Sequence, residues 1–231
     1  MPALFPLSTA IGRQLRNPSG IGGVLVGYSL AVANRKSNRI AIDALEISPH
    51  ETVLELGFGP GRSLKMLKAM TPHGTVLGID HSPTMLAQAC RHNRRAIRDR
   101  RIHLLRGRID ALPCGADSID KILAVHVVYF FGVTEVREVR RVLCPGGCIA
   151  ILATDKSAMV HRKFTRSSTH NTFDLDGLRA LLLRGGFAER EIAISQLKVA
   201  FGIPTLLAIA TKTVTSSNPA ARPAASCRRS E

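Results

Sequence analysis

The sequence predicts an α/β fold: a doubly wound, mostly parallel sheet of seven strands with helices on both faces. Three observations predict it. From Thr52 onward, short β-branched runs alternate with helix-like segments, the pattern of a parallel sheet covered by helices. A glycine-rich turn, Glu55-Leu56-Gly57-Phe58-Gly59-Pro60-Gly61, follows the first strand and opens a helix, where an open α/β sheet leaves a crevice at its strand ends. Finally, 231 residues, 45% of them hydrophobic, suffice for one sizeable core and are too few for two ordinary domains with linkers.

In chain order, Thr52 to Leu56 reads as a buried strand, followed by the glycine turn and a helix to about Met70. Thr75 to Ile79 is the second strand. Ser82-Pro83 then starts a helix to about Arg100, because the Ser hydroxyl accepts from an orphan N–H and Pro lacks that donor. Ile102 to Leu105 is the third strand and Asp120 to Tyr129 the fourth. Thr134 is expected to cap a helix to Leu143, and Pro145-Gly146-Gly147 to turn into a fifth strand, Cys148 to Ala153. Asp174 to Arg184 is a further helix ended by Gly185-Gly186, and apolar runs at Glu191 to Ile194 and Thr205 to Thr211 complete the sheet. The expected organisation is an N-terminal helical cap at 1–45, one domain at 46–213, and a Ser/Ala/Pro/Arg-rich tail at 214–231. That tail has too little apolar surface to offset the entropy of ordering.

Thirty-two Lys and Arg against 17 Asp and Glu give a formal charge of +15, which favours anionic partners and excludes an acidic disordered chain. Five cysteines, Cys90, Cys114, Cys144, Cys148 and Cys227, are odd in number and lack C-x-x-C spacing, so a disulfide framework is not expected and a reducing, cytoplasmic setting is. Residues 17–34 imitate a signal peptide, being uncharged, preceded by Arg13 and Arg16, and ending in Ala31-Val32-Ala33. Pro18 and four glycines interrupt that stretch, which argues against export and against a membrane-spanning helix.

Three nucleotide ligands compete for the glycine turn. A phosphate-cradling loop needs Gly-Lys-Ser/Thr at its end, whereas Gly61 precedes Arg62-Ser63. A dinucleotide fingerprint needs glycine at the sixth position of G-x-G-x-x-G, which is Arg62 here. S-adenosylmethionine, which has no phosphate, fits better. Asp80, ending the second strand, is placed to accept hydrogen bonds from both ribose hydroxyls, and Glu55 offers a second carboxylate, suited to the ammonium of the methionine moiety.

With these motifs the sequence resembles the class I S-adenosylmethionine-dependent methyltransferases, in particular their "type 11", ubiquinone-biosynthesis-like group, over roughly Pro49 to Lys212. Val53 to Gly61 resembles that family's first motif and Val76 to Leu86 its second. Asp110-Ala111-Leu112-Pro113 with Asp117-Ser118-Ile119-Asp120, Arg140 to Gly147, and Gly185-Gly186-Phe187 resemble three later ones. The resemblance implies a Rossmann-like sheet and S-adenosylmethionine as methyl donor. It also implies Gly57, Gly59 and Gly61 near the methionine part, Asp80 near the ribose, Ser82 to Met85 against one adenine face, and His81, Arg108, Ile109 and Val125 elsewhere in the cofactor site. The family's Gly-Asp-Ala after strand three, whose Asp bonds the adenine amino group, is here Gly107-Arg108-Ile109. Arg108 has no acceptor to offer; Asp110 or a backbone carbonyl is the expected replacement.

Methyl transfer is an in-line displacement from an already activated sulfonium, so positioning and water exclusion supply much of the rate and a protein base is optional. The resemblance puts the end of strand four, Ala124-Val125-His126-Val127-Val128-Tyr129, beside the transferable methyl. His126 is the candidate base. An exocyclic-amine DNA methyltransferase would show Asn/Asp-Pro-Pro-Tyr there, which is absent. Cys114 follows strand three in a normally apolar slot, which disfavours a cytosine C5 nucleophile, and Cys144 and Cys148 lack further zinc ligands. No carboxylates stand near the end of strand four for a magnesium-dependent enzyme.

Eight arginines between Arg91 and Arg108 are opposed within that stretch by Asp99 alone. Such a run is commonly a solvated face, and it also suits an anionic membrane. Without interleaved aromatics it lacks the stacking platforms of single-strand nucleic-acid readers. The first 45 residues are expected to roof the acceptor pocket, because the insertion Thr154 to Phe173 is short and polar; within them Ile21 to Leu45 reads as a partly amphipathic helix, which equally suits a mere cover of the sheet. An apolar entrance with a basic rim then implies a small or amphipathic, lipid-like acceptor, with peripheral contact at the inner membrane surface. A phospholipid amine is the specific alternative acceptor; a non-catalytic S-adenosylmethionine- or nucleic-acid-binding protein is the alternative outside enzymes.

Overall fold

The computed structural model describes residues 34–159, 171–199 and 202–214. Seven strands form one sheet in the order β3-β2-β1-β4-β5-β7-β6: β1 Thr52–Leu56, β2 Thr75–Asp80, β3 Ile102–Arg106, β4 Ile119–Val125, β5 Leu143–Thr154, β6 Ile192–Lys198 and β7 Pro204–Thr211. The first five pair in parallel, and β7 inserts antiparallel between β5 and β6. The helices are α1 Arg35–Asp43, α2 Ser63–Met70, α3 Pro83–Arg98, α4 Val133–Val142, the short α5 Lys156–Met159, and α6 Leu175–Arg184.

Alternation along the strands sends side chains into two cores. On one face Leu54, Leu56, Ile122, Ala124 and Ile151 pack with Val136, Val139 and Val142 of α4 and with Leu178, Leu181 and Leu182 of α6. On the other, Val53, Leu123, Ala150 and Leu152 pack with Ala41 and Ile42 of α1, Leu64 and Leu67 of α2, and Ala89 of α3. Each fully buried Leu, Ile or Val contributes about 1.5–3 kcal/mol relative to exposure, so both layers are held by burial rather than by helix propensity.

Several expectations are corrected. The fourth strand ends at Val125 rather than Tyr129, because His126 takes φ +56° and turns the chain out of the sheet into a 3₁₀ turn at Val128–Phe130. Gly132, not Thr134, caps α4, because Glu135 reaches back to the Gly132 N–H at 2.7 Å. The fifth strand begins before Pro145-Gly146-Gly147: the register runs from Ile119↔Leu143 to Lys121↔Cys148, so the extra residues bulge within β5. In the described part of the expected N-terminal cap, residues 34–45, Ala41, Ile42 and Leu45 pack into the same core as Leu64 and Leu67 of α2. Residues 1–33, most of the 154–173 insertion and the tail from 215 lie outside the described residues.

Candidate functional site

The site forms where β1, β2 and β4 end side by side. Gly57, with φ +65°, donates its N–H to Ile79 O at 2.8 Å and ties the glycine turn to β2. Gly59, at φ +54°, has nothing within 4 Å of where a Cβ would stand, so the turn keeps an open cradle there. Gly61 serves packing instead: a Cβ would lie 2.7 Å from the Ala89 Cβ, and α3 grips the turn through Asn93 Nδ2 donating to Gly61 O at 2.9 Å and His92 Nδ1 at 2.8 Å from Pro60 O.

Asp80 is the hub. Its Oδ2 accepts the Gly59 N–H at 2.9 Å and its Oδ1 the Ser82 N–H at 2.8 Å, while His81 Nδ1 stands 3.7 Å away. Burial pushes the carboxyl's pKa above the ordinary range, opposed by the N–H groups of Ser82 and Gly59 and by His81. Both oxygens keep acceptor capacity beyond these bonds. Glu55, on β1, is 4% exposed. Its Oε1 accepts from Ser63 Oγ at 2.5 Å, and its Oε2 is buried with no hydrogen-bond partner. Burial raises this carboxyl to about 8, the Ser63 bond opposing and the Asp80 charge reinforcing the shift. A buried acceptor without a donor is a standing cost.

Gly57, Asp80, His81, Arg108 and Ile109, all expected in the site, line one pocket of about 230 Å³. Gly107, Asp110, Val127, Phe130 and Glu135 line it as well. Arg108 turns outward and grips Asp110 through Nε at 2.9 Å and Nη2 at 2.5 Å, which holds the Asp110 carboxyl below its usual range. Ser82 is fully buried, its Oγ accepting the Met85 N–H at 3.3 Å as the α3 cap, and Met85 is buried too, so neither side chain is offered to the pocket. Val125 is likewise corrected: it packs with the core under α1 to α3, and Val127 occupies the position facing the glycine turn, 2.8 Å from where a Gly57 Cβ would stand. His126 lies on the turn between them, its Nδ1 3.2 Å from Tyr129 Oη, which in turn accepts the Thr154 N–H at 2.8 Å.

Val127 lies in the stretch expected beside the methyl but was not singled out, because an unbroken strand does not reveal the turn that aims it at the pocket; Phe130, beyond the expected strand, was missed. Glu135 carried a usable signal, its three-residue spacing from Gly132 at a helix start. Among the described residues no group of three or more His, Cys, Asp or Glu side chains is placed to hold a metal ion.

Residues 53–147 match the family model described as "Methyltransferase domain". The chain is 32% identical over 188 residues to an uncharacterized 37.1 kDa protein of a Streptomyces fradiae transposon, a match covering 77% of this chain and 51% of that one. It is 28% identical to the uncharacterized methyltransferase YdaC of Bacillus subtilis, covering 62% of this chain and 78% of the relative. A SAM-dependent methyltransferase structure from Aquifex aeolicus superposes with TM-score 0.62 at 16% identity, over 79% of this chain and 93% of that one. Residues 53–147 thus carry a methyltransferase domain by sequence match, and the fold is that of a SAM-dependent methyltransferase. The chain spans about half the length of the Streptomyces relative. S-adenosylmethionine is the methyl donor of such methyltransferases, and the residues present fit it: the open cradle at Gly59, the acceptor capacity of Asp80 and the unpartnered Glu55 Oε2 would suit its sulfonium-bearing tail, ribose and ammonium.

Proposed function

We propose that the chain transfers a methyl group from S-adenosylmethionine to a small or amphipathic acceptor by in-line displacement. The observation that carries this reading is the buried, unpartnered Glu55 Oε2 beside a glycine turn tied to Asp80, a set of acceptors suited to a cationic amino-acid tail on a ribose. When bound, the donor supplies an electrophilic methyl on a leaving sulfonium, and the protein's part is to hold and orient it. Gly57, Gly59 and Gly61 allow close approach of the tail, Asp80 accepts from the ribose, and Ile109 covers the adenine. Asp110, held by Arg108, takes the adenine-amino role that Arg108 itself cannot fill. Val127 and Phe130 give the pocket an apolar wall, and positioning of an already activated methyl can supply much of the rate without a protein base.

Two experiments test it. Calorimetry should show S-adenosylhomocysteine binding to the purified protein, and labelled S-adenosylmethionine should pass its methyl to a component of fractionated extract. Absence of binding removes the reading. Binding without transfer to any fraction favours a catalytically silent binder.

The outward face of α3 supports an anionic surface as the place of action. Arg91, Arg94, Arg95 and Arg98 are all exposed there, and Leu105 on the neighbouring edge strand is 45% exposed. No helix among the described residues is long and apolar enough to cross a membrane. Sedimentation with phosphatidylglycerol vesicles at low salt, lost at high salt, is the expected result; failure to sediment removes this membrane contact.

A further inference from the structure

Among the described residues, Glu55 is the buried carboxylate beside the glycine turn whose second oxygen has no hydrogen-bond partner. Its Oε1 is taken by Ser63 Oγ at 2.5 Å, and its Oε2 has no partner. Among the described residues, no ion pair or hydrogen bond brings a cation to it. On β2 the charged neighbour is Asp80, itself an acid. On β4 the residue in register is Leu123. From α2 comes the Ser63 hydroxyl, and from α3 the polar groups reaching the turn are Asn93 and His92, both engaged with its backbone carbonyls. The buried polar group of α1 is Ser37, its Lys36, Arg39 and Asp43 being exposed. A carboxylate so enclosed, facing a second carboxylate, is most stable as the neutral acid.

We propose that the donor's ammonium enters this site in exchange for a proton: Glu55 is the neutral acid when the site is empty, and it releases its proton to solvent as the ammonium pairs with Oε2. The proposal rests on the cofactor reading above and deepens it. Glu55 thereby becomes a specificity-determining residue, because only a ligand bearing a cation at that point can replace the proton. Nucleosides sharing the thioether and ribose but lacking the amino acid gain nothing from the exchange. The direction and size of the Glu55 shift, to about 8 through burial, agree with the geometry.

The sign follows from linkage. Below about 8 the empty site carries a proton that the loaded site does not, so binding releases it and affinity rises with pH by up to roughly tenfold per unit. The test is isothermal titration of the intact protein with S-adenosylhomocysteine at pH 6 to 8, in buffers of different ionisation enthalpy, beside 5′-methylthioadenosine and the E55Q variant. The expected result is release of close to one proton at pH 6.5 with S-adenosylhomocysteine, and close to none with methylthioadenosine or with E55Q. If E55Q does not fold, the comparison of the two ligands on the native protein carries the test. Tight binding of S-adenosylhomocysteine with no proton release and a flat pH profile overturns the exchange while leaving the cofactor reading intact. Release that persists in E55Q assigns the proton to another group and overturns it too. No binding at any pH overturns the cofactor reading itself.

Discussion

Asp80 Oδ2 accepts the backbone N–H of Gly59 at 2.9 Å, so the carboxylate that ends β2 also closes the turn that ends β1. One side chain therefore shapes the loop and faces the pocket. Replacing it by alanine strands two N–H groups, those of Gly59 and Ser82. We expect Asp80→Ala to lower stability by about 1–3 kcal/mol and to weaken S-adenosylhomocysteine binding by roughly 100-fold, a loss of about 2.7 kcal/mol. Asp80→Asn, which keeps one acceptor oxygen, should fall between. Urea unfolding and calorimetry read the two effects separately, and unchanged affinity in the alanine variant would remove Asp80 from the site.

Gly59 and Gly61 share a left-handed backbone but differ in surroundings. A Cβ at Gly61 meets Ala89 at 2.7 Å and Asn93 at 2.8 Å, whereas one at Gly59 meets nothing. Gly61→Ala should therefore lose about 2–4 kcal/mol, overpacking added to backbone strain, and Gly59→Ala only about 1 kcal/mol. For ligand affinity the order reverses among folded molecules, because the added methyl at Gly59 projects into the open cradle. Thermal melts with and without S-adenosylhomocysteine distinguish the two.

Glu55 also makes the empty protein's stability depend on pH. Its carboxyl titrates at about 8 when folded against an ordinary value of 4.5, so the folded state holds the extra proton between those values. The stability it contributes is fully present below about 4.5 and is lost as the pH rises through about 8. The slope should approach about −1.4 kcal/mol per pH unit at its steepest. Chemical denaturation from pH 5 to 8.5 should show this decline in the native chain and a flatter profile in E55Q; parallel profiles would contradict the assignment.

His126 takes φ +56°, and its ring contacts Tyr129 while Val127 beyond it presses on Gly57. The turn is what delivers Val127 to the pocket, and on a purely structural role for His126 the backbone conformation is what a substitution must preserve. His126→Asn, which tolerates the left-handed region, should keep stability and retain methyl transfer within about threefold. His126→Val should lose roughly 1–2 kcal/mol. A fall in rate of about 100-fold or more in the asparagine variant would instead identify His126 as a general base.

Much of this site was written locally in the chain. The glycine spacing from Gly57 to Gly61, the acid at Asp80 and the Ser82-Pro83 helix start depend on residues a few positions apart, and local backbone chemistry determines them. The β/α alternation likewise determined the sheet and its two helical layers, because burial on both faces demands that periodicity. Only the tertiary structure decided where β4 stops, since the turn at His126 is held by contacts to Leu152 and Tyr129 rather than by any residue preference at that position. It likewise decided that Val127 rather than Val125 meets the glycine turn, that Ser82 and Met85 are spent on the core, and that Arg108 holds Asp110 at the pocket. The unpartnered oxygen of Glu55 belongs with these. Whether a buried acid finds a donor is settled by every element packed around it, and no stretch of sequence contains that sum.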